Sequence, residues 1–209
     1  MMDTLFERYP ALAECEKDIS AAVDTLCAVF RAGGKLLLCG NGGSAADCEH
    51  ISGELLKGFL DKREIPRGER EEMLSRCPEI APLIDRLQTG FPAIPLPSLT
   101  SLISAAANDL DPSLAYAQAV MALGRPGDAL VAISTSGNAE NVYNAALTAR
   151  SKGMAVLALT GKTGGRLAPI ADVAVRVPET ETYRVQELHL PVYHYLCAET
   201  ERRGIEIRN

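Results

Sequence analysis

The stretch "KLLLCGNGGSAADCEHISGELL", residues 35–56, decides how this chain folds. It begins with an apolar run of strand length, turns through Asn41-Gly42-Gly43-Ser44, and continues with the apolar rhythm of a helix. A buried strand that enters a helix through a glycine turn is the repeating unit of doubly wound α/β proteins.

Four more apolar runs and three helical stretches continue this pattern. The runs lie at 91–96, 129–135, 154–160 and 172–178, and the helical stretches lie at 44–58, 100–123 and 139–152. Most runs are apolar throughout, as is typical of parallel strands that are covered on both faces. We therefore predict an α/β fold: a doubly wound, parallel five-stranded sheet flanked by helices in a flavodoxin-like three-layer sandwich.

The rest of the chain is predicted to decorate a single domain spanning residues 1–209. A long amphipathic helix is expected at about 3–32, and a last helix that contains Pro191 should kink there. Residues 60–89 carry many charges and three prolines, and are predicted to form an insertion with one or two short helices. Such a segment is either a solvated flap or a lid or oligomer contact.

Composition excludes several classes of function. The chain has 209 residues, 47% of them hydrophobic, and a formal charge of −6 without a long Lys/Arg cluster, which argues against binding to a nucleic-acid backbone. No leader pattern and no run approaching the ~20 apolar residues of a membrane span are visible, so we expect a cytoplasmic protein that does not contact membranes. Six dispersed cysteines without a CxxC pair indicate neither disulfides nor a thiolate zinc site.

Two glycine loops indicate an anion site. The first is the Asn41–Ser44 turn, and the second, "STSGN", follows the run at 129–133 and comprises Ser134, Thr135, Ser136, Gly137 and Asn138. Both offer hydroxyls, accessible backbone N–H groups and a helix N-terminus, which together suit a phosphate monoester. Neither a GxGxxG nor a GxxxxGK[ST] pattern is present, so no nucleotide cofactor is predicted.

The three histidines are all predicted to lie on helices. His50 and Glu54 stand four residues apart on one helical face, where they could hold a divalent metal or share proton transfer. Gln186 and His194 on the last helix lie about 12 Å apart along its axis and about 80° apart in direction. A kink or a neighbouring subunit is therefore needed if both serve one site. His189 has either a packing role or a supporting role behind a ligand.

Five stretches together resemble the SIS (sugar isomerase) domain family, and within it the sedoheptulose 7-phosphate isomerases. They are "CGNGGSAADCEHISGELL", "AAANDLDPSLAYAQAV", "GDALVAISTSGNAENVYNAAL", "KGMAVLALTGKTGGRLAPIADVAVRVP" and "RVQELHLPVYH", and they cover nearly the whole chain apart from residues 60–89. STSGN alone would indicate only a SIS domain. The HxxxE pair together with QxxxxxxxH is specific to the isomerase branch.

The resemblance implies roles for individual residues. The two loops hold the phosphate and sugar hydroxyls, Asn108 and Asp109 line the sugar site, Glu54 is the general base and His194 the general acid. The family's zinc positions correspond to His50, Glu54, Gln186 and His194. The resemblance also implies a homotetramer whose sites are completed across subunits.

The leading hypothesis is an aldose–ketose isomerase that converts D-sedoheptulose 7-phosphate to D-glycero-D-manno-heptose 7-phosphate through an enediolate, for bacterial glycan precursors. Ala139, Gly53 and the insertion depart from the family pattern, which leaves isomerisation of another phosphorylated ketose open. A non-catalytic SIS protein that binds phosphosugars or assists the replication initiator is the third alternative. The joint presence of Glu54 and His194 favours an enzyme.

Overall fold

A computed structural model of the chain describes residues 2–208 and contains one five-stranded sheet. The strands are β1 (Leu36–Gly40), β2 (Ala93–Pro95), β3 (Ala129–Ser134), β4 (Ala155–Thr160) and β5 (Val173–Arg176). Their order across the sheet is β2-β1-β3-β4-β5, and every neighbouring pair is parallel. The predicted fold class is confirmed.

Helices cover both faces of this sheet. They are α1 (Met2–Arg8), α2 (Glu16–Arg31), α3 (Gly43–Leu56), α4 (Arg67–Arg76), α5 (Ala81–Ile84), α6 (Thr100–Asp109), α7 (Ala115–Leu123), α8 (Glu140–Ser151) and α9 (Thr182–Arg208). Strand β1 shows how the two cores form. Leu36 and Leu38 join a cluster with α2, α3 and α9, whereas Leu37 and Cys39 join a cluster with α7 and α8. Successive strand side chains point to opposite faces, so an uninterrupted apolar run supplies both cores.

Two predicted helices are interrupted at prolines. The prediction of one helix at about 3–32 is wrong, because α1 ends at Arg8, a 3-10 turn spans Pro10–Cys15, and α2 starts at Glu16. The stretch 100–123 likewise divides into α6 and α7 around a 3-10 turn that starts at Pro112. Proline lacks a backbone N–H and disfavours the helical conformation in the residue before it.

The segment after α3 is fastened to the core by a buried ion pair. Arg63 Nε lies 3.1 Å from Glu201 Oε1, and their side chains are only 3% and 2% exposed. Glu201 also accepts hydrogen bonds from the backbone N–H groups of residues 59, 60 and 61. Arg63 donates to the carbonyl oxygens of Glu54 and Leu55, and its guanidinium lies over the ring of Phe91. The C-terminal end of α3 is thereby tied to α9.

Beyond this pair, residues 64–90 form a polar excursion. It contains α4, which has no buried side chain, and the short α5, of which Ile84 is buried. The chain returns where the Thr89 N–H donates to the Arg63 carbonyl oxygen and the Phe91 N–H donates to that of Leu55. Its contacts with the rest of the molecule are therefore concentrated at its base.

Replacing Glu201 by alanine is expected to lower the free energy of unfolding by about 3–5 kcal/mol, because Arg63 would keep a buried and unpaired charge. The matched control is Glu71→Ala, which removes an exposed Arg67–Glu71 pair on α4 and should cost less than about 1 kcal/mol. Urea unfolding measures both values. Equal losses in the two variants would contradict a structural role for the buried pair.

Candidate active site

The first glycine loop connects β1 to the N-terminus of α3. Gly42 has a φ of +56°, a left-handed conformation that favours glycine, and α3 begins at the next residue. Gly43 lies against the side chain of Gln186, because a Cβ at this position would stand 2.6 Å from Gln186 Nε2. The amide of Gln186 on α9 is thus packed against the turn.

The second loop follows β3 and is internally hydrogen-bonded. Gly137 has a φ of +67° and packs so closely on the Gly164 carbonyl that any side chain there would clash. The Asn138 N–H donates to Ser136 Oγ, and its side-chain oxygen accepts from the Arg166 N–H. Ser134 is buried at the end of the strand. The loop therefore has a fixed shape before any ligand binds.

The two loops are joined by a pair of asparagines. Asn41 Nδ2 donates to Asn141 Oδ1, and Asn141 Nδ2 donates to Asn41 Oδ1, both at 2.9 Å. They meet because β1 and β3 are neighbours in parallel register, with Gly40 beside Ile133. Asn141 lies in the first turn of α8 and was not predicted as a site residue, because the local sequence gives no signal of its partner.

The predicted base and acid lie together further along α3. His50 Nε2 is 3.4 Å from Glu54 Oε1 and 3.4 Å from His194 Nε2. Lys57 Nζ lies 2.8 Å from the other carboxylate oxygen of Glu54. A single chain therefore brings the predicted catalytic residues together without help from a neighbouring subunit.

Gln186 does not join this cluster but lies at the glycine turn. Within one chain, Gln186 and His194 therefore do not point at the same atom. The two residues face different parts of α3. Gln186 is opposite its first residue, and His194 is opposite His50, which is about 10 Å further along the α3 axis. That rise is close to the ~12 Å between the two residues on α9. Helices α3 and α9 therefore pack side by side, with the Gln186 amide at one end of the contact and the acid–base pair at the other.

Neighbouring groups set the charges in the cluster. The hydrogen bond from Lys57 lowers the pKa of Glu54, so the carboxylate is ionised at neutral pH. Burial, followed by the proximity of His50, lowers the pKa of His194, so this imidazole is neutral. Ionised carboxylate and neutral imidazole are the forms that a proton-abstracting base and a proton carrier between two oxygens require.

The cluster matches part of a metal site. The two 3.4 Å separations equal about the edge of a tetrahedron around zinc with ligand distances of 2.0–2.1 Å. Within residues 2–208, however, no group of three or more His, Cys, Asp or Glu side chains is assembled around one metal position as the side chains stand. Lys57 instead partly neutralises Glu54, and Gln186 stays at the turn.

The remaining predicted site residues are placed as follows. Asn108 and Asp109 are exposed at the C-terminal end of α6, where Asn108 Nδ2 donates to Asp109 Oδ1 at 2.7 Å. Their role in sugar binding stays a prediction. His189 is fully buried on α9, and burial lowers its pKa to about 4. It is therefore a neutral packing residue.

Comparison with known proteins identifies the family. The model of the SIS domain matches residues 8–88 and 84–161. This range includes both glycine loops and the His50/Glu54 pair. The chain belongs to the SIS domain family.

Individual relatives define the branch. The phosphoheptose isomerase of Rhodospirillum rubrum is 40% identical over 190 residues, which cover 91% of this chain and 88% of that protein. The phosphoheptose isomerase of Shewanella oneidensis is 41% identical over 189 residues, covering 89% and 83%. Within the SIS family, the chain falls in the phosphoheptose isomerase branch.

Solved structures agree with this placement. Phosphoheptose isomerase GmhA from Neisseria gonorrhoeae has a TM-score of 0.74 at 33% identity, with 94% of each chain covered. A phosphoheptose isomerase from Francisella tularensis has a TM-score of 0.75 at 30% identity, with 96% of each chain covered. The described helices include none long and apolar enough to cross a membrane.

Acid should destabilise the fold through His189. Its folded pKa of about 4 lies below the usual 6.5, so the unfolded chain takes up the proton first. The free energy of unfolding is unaffected by this residue above about pH 6.5 and should fall by roughly 3 kcal/mol as the pH drops toward 4. Urea titrations at several pH values should show a smaller acid loss in His189→Leu and an undiminished one in His50→Gln, whose side chain is 43% exposed. Identical pH profiles for His189→Leu and the wild type would contradict this account.

Proposed function

We propose that this protein is an aldose–ketose isomerase that converts D-sedoheptulose 7-phosphate to D-glycero-D-manno-heptose 7-phosphate. The observation that carries the proposal is that an ionised Glu54, His50 and a neutral His194 lie together where α3 and α9 pack against each other, further along α3 than the glycine turn. The names of its relatives support the same reaction, since two of them share 40% and 41% identity over about nine-tenths of the chain.

The protein holds the substrate by its phosphate, which is the end remote from the reacting carbonyl. The glycine loops after β1 and β3 present backbone N–H groups and helix N-termini to the phosphate, with Ser44, Thr135 and Ser136 as hydroxyl donors. Gln186 contacts the sugar beside the turn. The carbonyl end then lies further along α3, where the acid–base cluster stands. Fixing both ends orients the reacting carbons and lowers the entropic part of the barrier.

Proton transfer follows from the charges. The Glu54 carboxylate removes a proton from C1 of the ketose, and the electron pair forms a C1=C2 bond as the carbonyl electrons move to the C2 oxygen. His194 carries a proton from the C1 hydroxyl to that oxygen. Glu54 then returns its proton to C2, and the C1 oxygen becomes the aldehyde. Atoms and electrons balance, and no oxidant is needed.

We include a zinc ion in the proposal, with His50, Glu54, Gln186 and His194 as the residues that would hold it. When bound, it would stabilise the negative charge that develops on the substrate oxygens. The 3.4 Å spacings support the contacts from His50, Glu54 and His194, whereas Gln186 of the same chain lies at Gly43, so a neighbouring subunit would have to supply the Gln186 ligand. Metal analysis of the purified protein tests this, since zinc should be stoichiometric and be lost in His50→Ala.

We also propose a cytoplasmic homotetramer that supplies a heptose phosphate for bacterial glycan precursors. All six cysteines are free, as expected for a reducing compartment. The large apolar side chains of Leu110 and Leu114, in the turn between α6 and α7, and of Met121 on α7 are exposed, and a subunit contact would cover them. Sedimentation equilibrium gives the oligomeric state, and a monomer would contradict this part.

Replacing the base should greatly reduce turnover without preventing substrate binding. Glu54→Gln keeps the size of the side chain but cannot accept the C1 proton, so kcat should fall by about 10²–10⁴-fold, and His194→Gln should have a comparable effect. Glu49→Gln on the same helix is the control, because Glu49 accepts from Ser98 Oγ on another side of α3. Product formation from sedoheptulose 7-phosphate is followed by NMR. If the wild type gives no turnover with or without added zinc, the proposed function is wrong.

The position of Gln186 can be tested by substituting Gly43, the glycine against which its side chain packs. Gly43→Ala should fold normally but push the flexible Gln186 side chain off the turn, raising KM for the sugar phosphate. Gly53→Ala is the matched control, since a Cβ there meets no atom within 4 Å, and it should retain activity and gain roughly 0.5–1 kcal/mol of stability. Unchanged kinetics in Gly43→Ala would remove Gln186 from the proposed site.

A further inference from the structure

A buried tyrosine hydroxyl lies between an aspartate and the site histidine. Tyr193 is 1% exposed, and its Oη lies 3.0 Å from His50 Nδ1 and 3.3 Å from Asp47 Oδ1. Its ring meets the rings of His50 and His194 edge to face. Neither Asp47 nor Tyr193 is among the site residues predicted from the sequence. The hydroxyl touches the imidazole nitrogen that faces away from Glu54.

The direction of these hydrogen bonds follows from what each group can do. A carboxylate can only accept hydrogen bonds. Asp47 Oδ2 is buried with no hydrogen-bond partner among the described residues, so the bond from Tyr193 to Oδ1 stabilises the negative charge of Asp47. The phenol has one hydrogen. If that hydrogen goes to Asp47, then the phenol oxygen must accept from His50, and Nδ1 carries the imidazole proton.

We propose that Asp47 and Tyr193 are positioning residues that hold His50 in the Nδ1–H tautomer, so that Nε2 directs its lone pair at Glu54 and His194. Two acceptors, the Nε2 lone pair and a carboxylate oxygen, then face each other at 3.4 Å. This arrangement is unfavourable unless a proton or a metal cation lies between them. The hydrogen bonds that link His50 to Tyr193 and Tyr193 to Asp47 therefore give the cluster its affinity for a cation.

The inference deepens the proposed function and rests on it for its biological meaning, but the tautomer can be measured whether or not the protein isomerises a sugar. The opposite polarity is chemically distinct. A neutral Asp47 would donate to Tyr193, Tyr193 would donate to Nδ1, and Nε2–H would donate to Glu54. The two cases differ in which nitrogen of His50 carries hydrogen.

The test is two-bond ¹⁵N–¹H NMR of the imidazoles in zinc-free protein at a pH where His50 is neutral. The chain has three histidines, so single His→Gln variants assign every signal. We expect His50 of the wild type as Nδ1–H, and a shift toward Nε2–H in Tyr193→Phe. Tyr195→Phe is the matched control, because a residue two positions further along α9 points about 160° away. It should leave the tautomer unchanged.

Zinc affinity gives a second readout. Competition with a chelator should show binding about 10–100-fold weaker in Tyr193→Phe, and weaker also in Asp47→Asn, with Tyr195→Phe like the wild type. If Tyr193→Phe does not fold, Asp47→Asn alone decides. An Nε2–H tautomer in the wild type, or variants that change neither tautomer nor affinity, would overturn the inference. A wild type with the expected tautomer but without turnover would instead reject the proposed function.

Discussion

The parallel pairing of β1 with β3 is the constraint on which the rest of the structure depends. It places the ends of two strands side by side, and so the loops that follow them meet at one edge of the sheet, where the Asn41–Asn141 pair joins them. Every residue of both strands is buried, so helices cover both faces of this central pair. Core and site therefore have one cause: apolar strands that end in glycine turns.

Much of this arrangement could be predicted from sequence because it is local. Unbroken apolar runs indicate parallel strands, glycine after a run indicates a turn into a helix, and the spacing of His50 and Glu54 puts both on one helical face. The error over the first helix was also local in origin. Pro10 lies inside the predicted range, and the backbone of Tyr9, the residue before it, is not helical.

What could not be predicted depends on partners far apart in the chain. Tyr193 is 143 residues from His50, and Asn41 is 100 residues from Asn141, so periodicity carries no information about either contact. The placement of Gln186 and His194 is of the same kind. Helical geometry correctly indicated that they diverge, but only the packing of α9 beside α3 shows that each faces a different residue of the other helix.

The Arg63–Glu201 pair lies at the base of the excursion formed by residues 64–90. The two ends of the excursion meet there, where the Thr89 N–H donates to the Arg63 carbonyl oxygen, and together these contacts form a clasp. This clasp lies between the excursion and the helix that carries Glu54, and α4 itself buries no side chain. We therefore expect substitutions on α4 to leave the core and the geometry of the acid–base cluster unchanged.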